Sequence, residues 1–449
     1  MIIEDYIARW ASLTPGKVAI STPSQQLTYG ALWALIGQRA AELRASGVAP
    51  GSVVPLCVSQ NGEFLADYFA VHLIGAVALP LEHEMPAGKY KETVTRFCAV
   101  RPPSGTADIL LTTGTTGKAK GALVSHQAII SNAENLASAH GYGSDLTFIV
   151  CGPLNHIGCL SKVWPVMMLG ATLHVLEGMK NLPLFFQTIE RSRTQVATFL
   201  VPALVRILVQ LAAKQLEMAA AKIDFIECGA APLTGTDMLR LCELLPHTRL
   251  YNTYASTETG VVCTYNFNDG YCLSGCVGSP MRHAQVRLTA EGIIVCSGPM
   301  LMTGYADDDE LTQQVLRQGS LYTSDRGHLD SKGRLILDGR TDDIINVGGY
   351  KISPEEVEQV AMTMPGVADC VCVGTPAGIT GFALKLLVVP AAGEPMPDKR
   401  SLARHIAEQL EAYKVPTIYE QTDAIVRTFN GKINRAHYRF IERKTPLNL

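Results

Sequence analysis

Thr112-Thr113-Gly114-Thr115-Thr116-Gly117-Lys118-Ala119-Lys120-Gly121 follows directly on the apolar run Asp108-Ile109-Leu110-Leu111. These ten residues carry four hydroxyls, three glycines and two lysines. Glycines let backbone N–H groups turn toward an anion, hydroxyls add donors and lysines add charge, so the loop suits phosphate. It is not a Walker A loop, because only two residues separate Gly114 from Gly117. A polar surface turn is the plainer alternative, and the loop by itself leaves both readings open.

Outward from the loop, helix-like and strand-like patterns alternate. Tyr29 to Ser46 has helical periodicity, Val53 to Cys57 is a β-rich run, and Asp67 to Ile74 leads as a helix into the strand Ala76 to Leu79. Beyond the loop come a strand at Leu146–Cys151, a helix at Leu182–Ser192 and a strand at Val196–Val201. A helix from Leu204 to Ala221 and a strand from Asp224 to Cys228 follow. This order predicts an α/β fold with parallel-type sheets covered by helices. After about Tyr265 short β-like runs take over: Gln285–Leu288, Ile293–Cys296, His328–Asp330 and Leu335–Leu337. A smaller α+β module begins within residues 339–343, with a helix at Pro354–Met364, strands at Cys370–Val373 and Phe382–Val389, and a helix at Lys399–Tyr413. The domains expected are therefore 1–341 and 342–449.

Composition bounds the function. The 449 residues are 47% hydrophobic and 18% charged, enough for a large core, and the net charge of −3 gives no reason to expect nucleic acid. Twelve cysteines contain no Cys-x-x-Cys pair, so core packing in a reducing compartment is expected of nearly all of them. The 11 histidines are scattered rather than set at metal-ligand spacing. No basic region precedes the acidic start Glu4-Asp5, and the apolar stretch from Phe64 to Leu81 is interrupted by Asp67, His72 and Gly75. No integral membrane segment is expected, and the protein reads as soluble and cytoplasmic.

Further polar clusters fall at strand ends or loops: Gly229-Ala230-Ala231-Pro232-Leu233, Tyr254-Ala255-Ser256-Thr257-Glu258-Thr259-Gly260 and Tyr322-Thr323-Ser324-Asp325-Arg326-Gly327. Then come Gly339-Arg340-Thr341-Asp342-Asp343, Gly348-Gly349-Tyr350-Lys351 and Asn430-Gly431-Lys432-Ile433-Asn434-Arg435. Alone, Glu258 could be a solvated loop carboxylate, Asp325 half of a surface ion pair, Lys432 a turn lysine and His156 a satisfied structural histidine. In this order the clusters resemble the adenylate-forming superfamily of acyl-CoA synthetases, peptide-synthetase adenylation domains and luciferases. The resemblance extends from Leu27-Thr28-Tyr29 to Lys432.

The resemblance implies the following roles. Thr112, Thr113, Gly114, Thr115, Thr116, Gly117, Lys118 and Lys120 hold the outer phosphates of ATP. Gly229, Ala230, Ala231 and Pro232 line adenine, with Tyr254 against the base. Thr257 binds the α-phosphate and Glu258 coordinates Mg²⁺. Asp325 accepts from the ribose hydroxyls, supported by Arg340. His156 gates the acyl pocket, and Lys432 bridges the carboxylate and α-phosphate during adenylation. Asp342 is the hinge of a mobile small domain, and Gly348 and Gly349 line the thiol tunnel.

Some features depart from the family pattern. Thr112 stands where Ser is commoner, Ala119 where Pro is usual and Ala255 where Gly is typical. Only 107 residues precede Asp108, which implies a pared-down N-terminal subdomain. Cys151-Gly152-Pro153-Leu154-Asn155-His156 lacks the carboxylate that would pair an amino-acid substrate's amine, so an α-amino acid is disfavoured. The expected activity is ATP-dependent conversion of a small carboxylic acid to an acyl-adenylate, then transfer to coenzyme A. An acyl or peptidyl carrier protein's phosphopantetheine is the alternative acceptor, an inactive binding module is a second alternative, and a homodimer is compatible with either.

Overall fold

The computed structural model describes residues 1–83, 85–113, 119–269, 271–347, 350–377, 381–428, 431–435 and 437–438. Its largest sheet is half parallel and half antiparallel. Six strands run parallel in the order Arg249–Ser256, Ile223–Gly229, Val196–Leu200, Thr147–Val150, Thr172–Val175 and Val18–Ser21. Every residue of Val196–Leu200 is buried, as a strand covered on both faces requires, which is why it reads as an unbroken apolar run. From Gly260–Asn266 onward the sheet continues antiparallel through Cys276–Pro280, Leu335–Arg340, Ser320–Leu329, Ile293–Ser297 and Gln285–Leu288. This is the β-rich region expected beyond Tyr265.

A second sheet carries the strands that flank residues 114–118. Val53–Cys57, Val77–Leu81 and Thr106–Thr113 are parallel, and Ala119–Ser125 and Gly304–Tyr305 add to it antiparallel. The helices around these sheets start where the sequence supplies caps. Thr28 caps Tyr29–Ala45, Asn61 caps Gly62–Leu73 and Ser125 caps His126–His140. The C-terminal part is a three-stranded sheet of Val367–Ala377, Gly381–Pro390 and Ile418–Gln421, with the helices Pro354–Ala361 and Lys399–Ala407 packed on it. Its core joins Ile352, Val357, Cys370, Cys372, Leu386, Leu402 and Ile406.

Three expectations change in detail. The helix expected over Leu204–Ala221 is two, Pro202–Leu211 and Ala213–Ala219, broken where Ala212 leaves helical geometry at φ −142°. The helix expected over Lys399–Tyr413 stops at Ala407, and a separate 3₁₀ turn covers Ala412–Lys414. Histidines distant in sequence do gather: the ligand atoms of Glu4, His72 and His126 lie within 4.8 Å of one another. There the buried His72 bridges Glu4 Oε1 and Asp108 Oδ1, each at 3.0 Å, so both ring nitrogens face a carboxylate. Burial opposes its charge, but Asp108 and Glu4 outweigh that cost and raise its pKa to about 10. All twelve cysteines are free thiols; eight are buried as core packing predicts, Cys242 and Cys272 are half-buried, and Cys57 and Cys98 are exposed, outside that expectation. Among the described residues no helix is long and apolar enough to cross a membrane.

Candidate active site

The strands on either side of the proposed phosphate loop pair antiparallel. Thr112 pairs with Lys120 and Thr113 with Ala119, while Gly114, Thr115, Thr116, Gly117 and Lys118 lie outside the described residues. The hairpin base is held from outside, since Arg96 donates to the Ala119 carbonyl at 2.8 Å and pairs with Asp307. Lys120 lies with its Nζ 5.5 Å from the Tyr305 ring centroid, and the Tyr305 hydroxyl donates to Glu258 Oε1 at 3.1 Å. Tyr305 thus connects the loop's lysine to the carboxylate assigned to Mg²⁺.

Glu258 and Thr257 occupy a tight turn between Arg249–Ser256 and Gly260–Asn266. The turn is fixed by Ser256 and Thr259, each donating its backbone N–H to the other's hydroxyl, at 2.9 and 3.0 Å. Gly260 completes it at φ +64°, where an added Cβ would lie 2.5 Å from Asn132 Oδ1. Thr257 and Glu258 are half-buried at the tip, an oxygen-donor set that suits a hard cation.

Tyr254 is 6% exposed, and its hydroxyl donates to Asp325 Oδ2 at 2.6 Å. Asp325 faces Arg340 across the strands Ser320–Leu329 and Leu335–Arg340, with Arg340 Nε 3.5 Å from Oδ1. The sequence did not foresee this link between the residue assigned to adenine and the residue assigned to ribose. Gly229 ends its strand where a Cβ would come within 3.0 Å of the Thr253 carbonyl. Ala230 follows at φ +69°, a left-handed conformation that costs an alanine about 1–2 kcal/mol. Such strain concentrates where backbone must face a ligand. Ala231 and Pro232 continue toward the helix Gly235–Leu244.

Lys432 arrives from the C-terminal part on a short hairpin. Thr428 N–H donates to the Lys432 carbonyl at 2.7 Å, and Gly431 N–H to the Thr428 carbonyl at 2.9 Å. Two arginines pin the hairpin down. Arg427 grips Asp369 with contacts of 2.9 and 2.7 Å, and Arg435 grips Glu358 with contacts of 2.9 and 2.8 Å. Gly431 packs on the large sheet's end, where an added Cβ would lie 3.4 Å from Val201. Lys432 is solvent-exposed; partial desolvation by the surrounding protein lowers its pKa, Asp325 opposes the shift, Arg340 adds to it, and Glu258 and Glu355 oppose it. His156 sits half-buried at the N-cap of Ile157–Leu169, its pKa lowered first by burial and then by Lys432. Lys432, His156, Glu258, Asp325 and Arg340 therefore share one electrostatic neighbourhood, although Lys432 lies far from the others in sequence.

Asp342 falls in the 3₁₀ turn Thr341–Asp343. Gly348 and Gly349 lie outside the described residues. The motif reading missed Tyr305 and Glu355. Tyr305 stands in Gly304-Tyr305-Ala306-Asp307, which carries no chemical signature of its own. Glu355 looks like an ordinary acidic first-turn residue of Pro354–Ala361, but burial raises its pKa to about 7, against Arg435 and with Glu358, Asp343 and Asp325.

The model of the AMP-binding enzyme family matches residues 7–99 and 91–306, and that of the AMP-binding enzyme C-terminal domain matches residues 356–432. An indoleacetate–CoA ligase from Aromatoleum aromaticum is 29% identical, with 99% of each chain covered. A feruloyl-CoA synthase from an Amycolatopsis species is 27% identical over 96% of this chain and 97% of its own. Among solved structures, ATP-bound MatB from Rhodopseudomonas palustris superposes with a TM-score of 0.89 at 23% identity, covering 99% of each chain. With its two family segments in order on one continuous chain, the protein belongs to the AMP-binding enzyme family.

Proposed function

We propose that this enzyme adenylates a small carboxylic acid with ATP, releases pyrophosphate, and passes the acyl group to the thiol of coenzyme A. The convergence of Lys432 with Glu258, Asp325, Arg340 and His156 carries the reading. Attack of a carboxylate on the α-phosphorus brings two anions together, so the protein must position them and neutralise charge. Lys432 supplies N–H donors and positive charge at that point. Thr257 would bind the α-phosphate, and Glu258 would hold Mg²⁺, which when bound supplies further positive charge beside the phosphates. Tyr254 and Arg340 orient Asp325 toward the ribose. Burial and the nearby ammonium keep His156 neutral, suiting it to stand between the nucleotide and the acid.

Transfer to the thiol needs Lys432 withdrawn, and the boundary at 341/342 suits that movement. Thr341 Oγ1 donates to the Ser324 carbonyl at 3.0 Å, while Asp343 pairs with Arg435 at 3.2 Å. Asp342 is left as the single residue between an anchor on the large domain and an anchor on the small one. The names of the relatives, an indoleacetate–CoA ligase and a feruloyl-CoA synthase, favour free coenzyme A as acceptor over a carrier protein. Cytoplasm, where ATP and coenzyme A are available, is the proposed location.

The test separates the half-reactions. Acid-dependent exchange between ATP and pyrophosphate identifies the substrate from a panel of acids. Lys432→Ala is expected to abolish that exchange while a supplied acyl-adenylate still reacts with coenzyme A. Equal loss of both steps would remove the assigned role.

A further inference from the structure

The last turn of the helix Ala87–Cys98 meets the strand Ala119–Ser125 at two points. Phe97 packs on the backbone at Gly121, where an added Cβ would lie 2.5 Å from its Cε1. Beside it, Arg96 makes several directed contacts at once. Its Nη1 donates to the Ala119 carbonyl at 2.8 Å, while Nε and Nη2 take the two carboxylate oxygens of Asp307, the latter at 2.9 Å. Its guanidinium also lies over the Phe97 ring, 4.7 Å from the centroid. An exposed ion pair is ordinarily worth little. Here a planar fork engaged by a carboxylate and a carbonyl together fixes where the Ala119 carbonyl stands.

Asp307 ends a strap that begins at the other wall of the proposed nucleotide site. Met302 N–H donates to the Glu258 carbonyl at 2.9 Å, and Gly304 and Tyr305 pair with Leu123 and Ala122. Ala306 N–H then donates to the Gly121 carbonyl at 2.8 Å. Residues 302–307 therefore run from the Thr257–Glu258 turn to the strand that leaves the loop, and Arg96 joins their end to Ala119. Ala119 adjoins the loop and, unlike a proline, leaves its own φ free. Arg96 supplies a restraint there that the backbone does not.

We propose that Arg96 is a positioning residue for the triphosphate of ATP. It sets the distance between the loop assigned to the outer phosphates and the turn assigned to the α-phosphate and Mg²⁺. This rests on the acid-activating function above. The phosphates of ATP form one covalent unit, so the two subsites must stand at a matched spacing. A displacement of about 1 Å can cost about a hundredfold in rate. Asp307 balances the charge of Arg96, so Arg96 acts on the nucleotide by where it holds Ala119 and not by its own field.

The experiment compares ligands that carry the outer phosphates with one that lacks them, using the full-length enzyme and an acid that supports exchange. KM is measured for ATP and for pyrophosphate in that exchange, and for the supplied acyl-adenylate in transfer to coenzyme A. Arg96→Ala is expected to raise KM for ATP and for pyrophosphate by about tenfold, with KM for the acyl-adenylate little changed. Asp307→Asn weakens the grip on Arg96 and is expected to act the same way by less, so a poorly folded alanine variant does not end the test. Arg96→Lys keeps the charge but not the fork, and is expected to fall nearer Arg96→Ala than wild type. An unchanged KM for ATP in both Arg96→Ala and Asp307→Asn overturns the proposal. So does a wild-type response from Arg96→Lys, which would make charge the cause. An equal rise for the acyl-adenylate overturns it too, because that would mark general damage to the fold. No exchange by wild type with any acid would instead overturn the underlying function.

Discussion

Tyr305 shows how one hydroxyl can tune a carboxylate. Its phenol is held protonated by burial and by Glu258, whose Oε1 it serves at 3.1 Å, while Lys120 lies over its ring. A hydrogen bond to a charged group contributes about 1.5–3 kcal/mol. Tyr305→Phe is therefore expected to lower stability by about 1.5–3 kcal/mol and kcat/KM for MgATP by about tenfold. Titrating Mg²⁺ at fixed ATP would show the loss as a higher metal requirement, and an unchanged Mg²⁺ profile would separate Tyr305 from Glu258's task. Glu258, Asp325, Arg340 and Lys432 could be read from the sequence because their short motifs combine rare residue types in order. Tyr305 could not, because the strand pairing that brings it beside the hairpin of Lys120 forms only on folding.

Between elements, the decisive buried contact is His72. It ties the first helix, through Glu4, to the strand Thr106–Thr113, through Asp108, which also accepts from Tyr68 at 3.0 Å. Its pKa is raised from 6.5 to about 10, so its contribution is fully present below pH 6.5 and is lost as pH rises toward about 10. Urea midpoints are expected to fall across that window. His72→Gln, which leaves two buried carboxylates without their cation, is expected to cost about 3–5 kcal/mol and to flatten the slope. A wild-type slope that survives in the variant would assign the alkaline loss to other groups. Helices and strands with their own caps or unbroken apolar runs, such as Tyr29–Ala45 and Val196–Leu200, were legible one by one. The break at Ala212 was not. Val205, Leu208, Ala212, Leu216 and Ala219 keep helical spacing straight through it and join one core. The His72 network was hidden too, since Glu4, His72 and Asp108 are neighbours only in space.

Across the whole molecule, the meeting of the two parts is expected to respond to pH through Glu355. This carboxyl stands at the start of Pro354–Ala361, with an oxygen 3.4 Å from where a Gly339 Cβ would be, and burial raises its pKa from 4.5 to about 7. A raised carboxyl pKa stabilises this arrangement fully below pH 4.5, and that support is lost as pH climbs toward about 7. Energy transfer between dyes on the large and small parts is expected to fall over that range, and Glu355→Gln should remove the dependence. An equal pH response in that variant would place the sensor elsewhere. The anchors at Thr341 and Asp343 bear on the same movement. With only Asp342 between them, the small domain in the proposed cycle turns as one body, its two arginine grips on the lysine hairpin intact, while the contacts with Asp325, Glu258 and Val201 part. A body of that size moving through water meets drag, whereas bond-making in a closed site does not. The two halves of the proposed reaction therefore answer to different masters: adenylation to local electrostatics, and the passage to thiol transfer to the friction of the surrounding solvent.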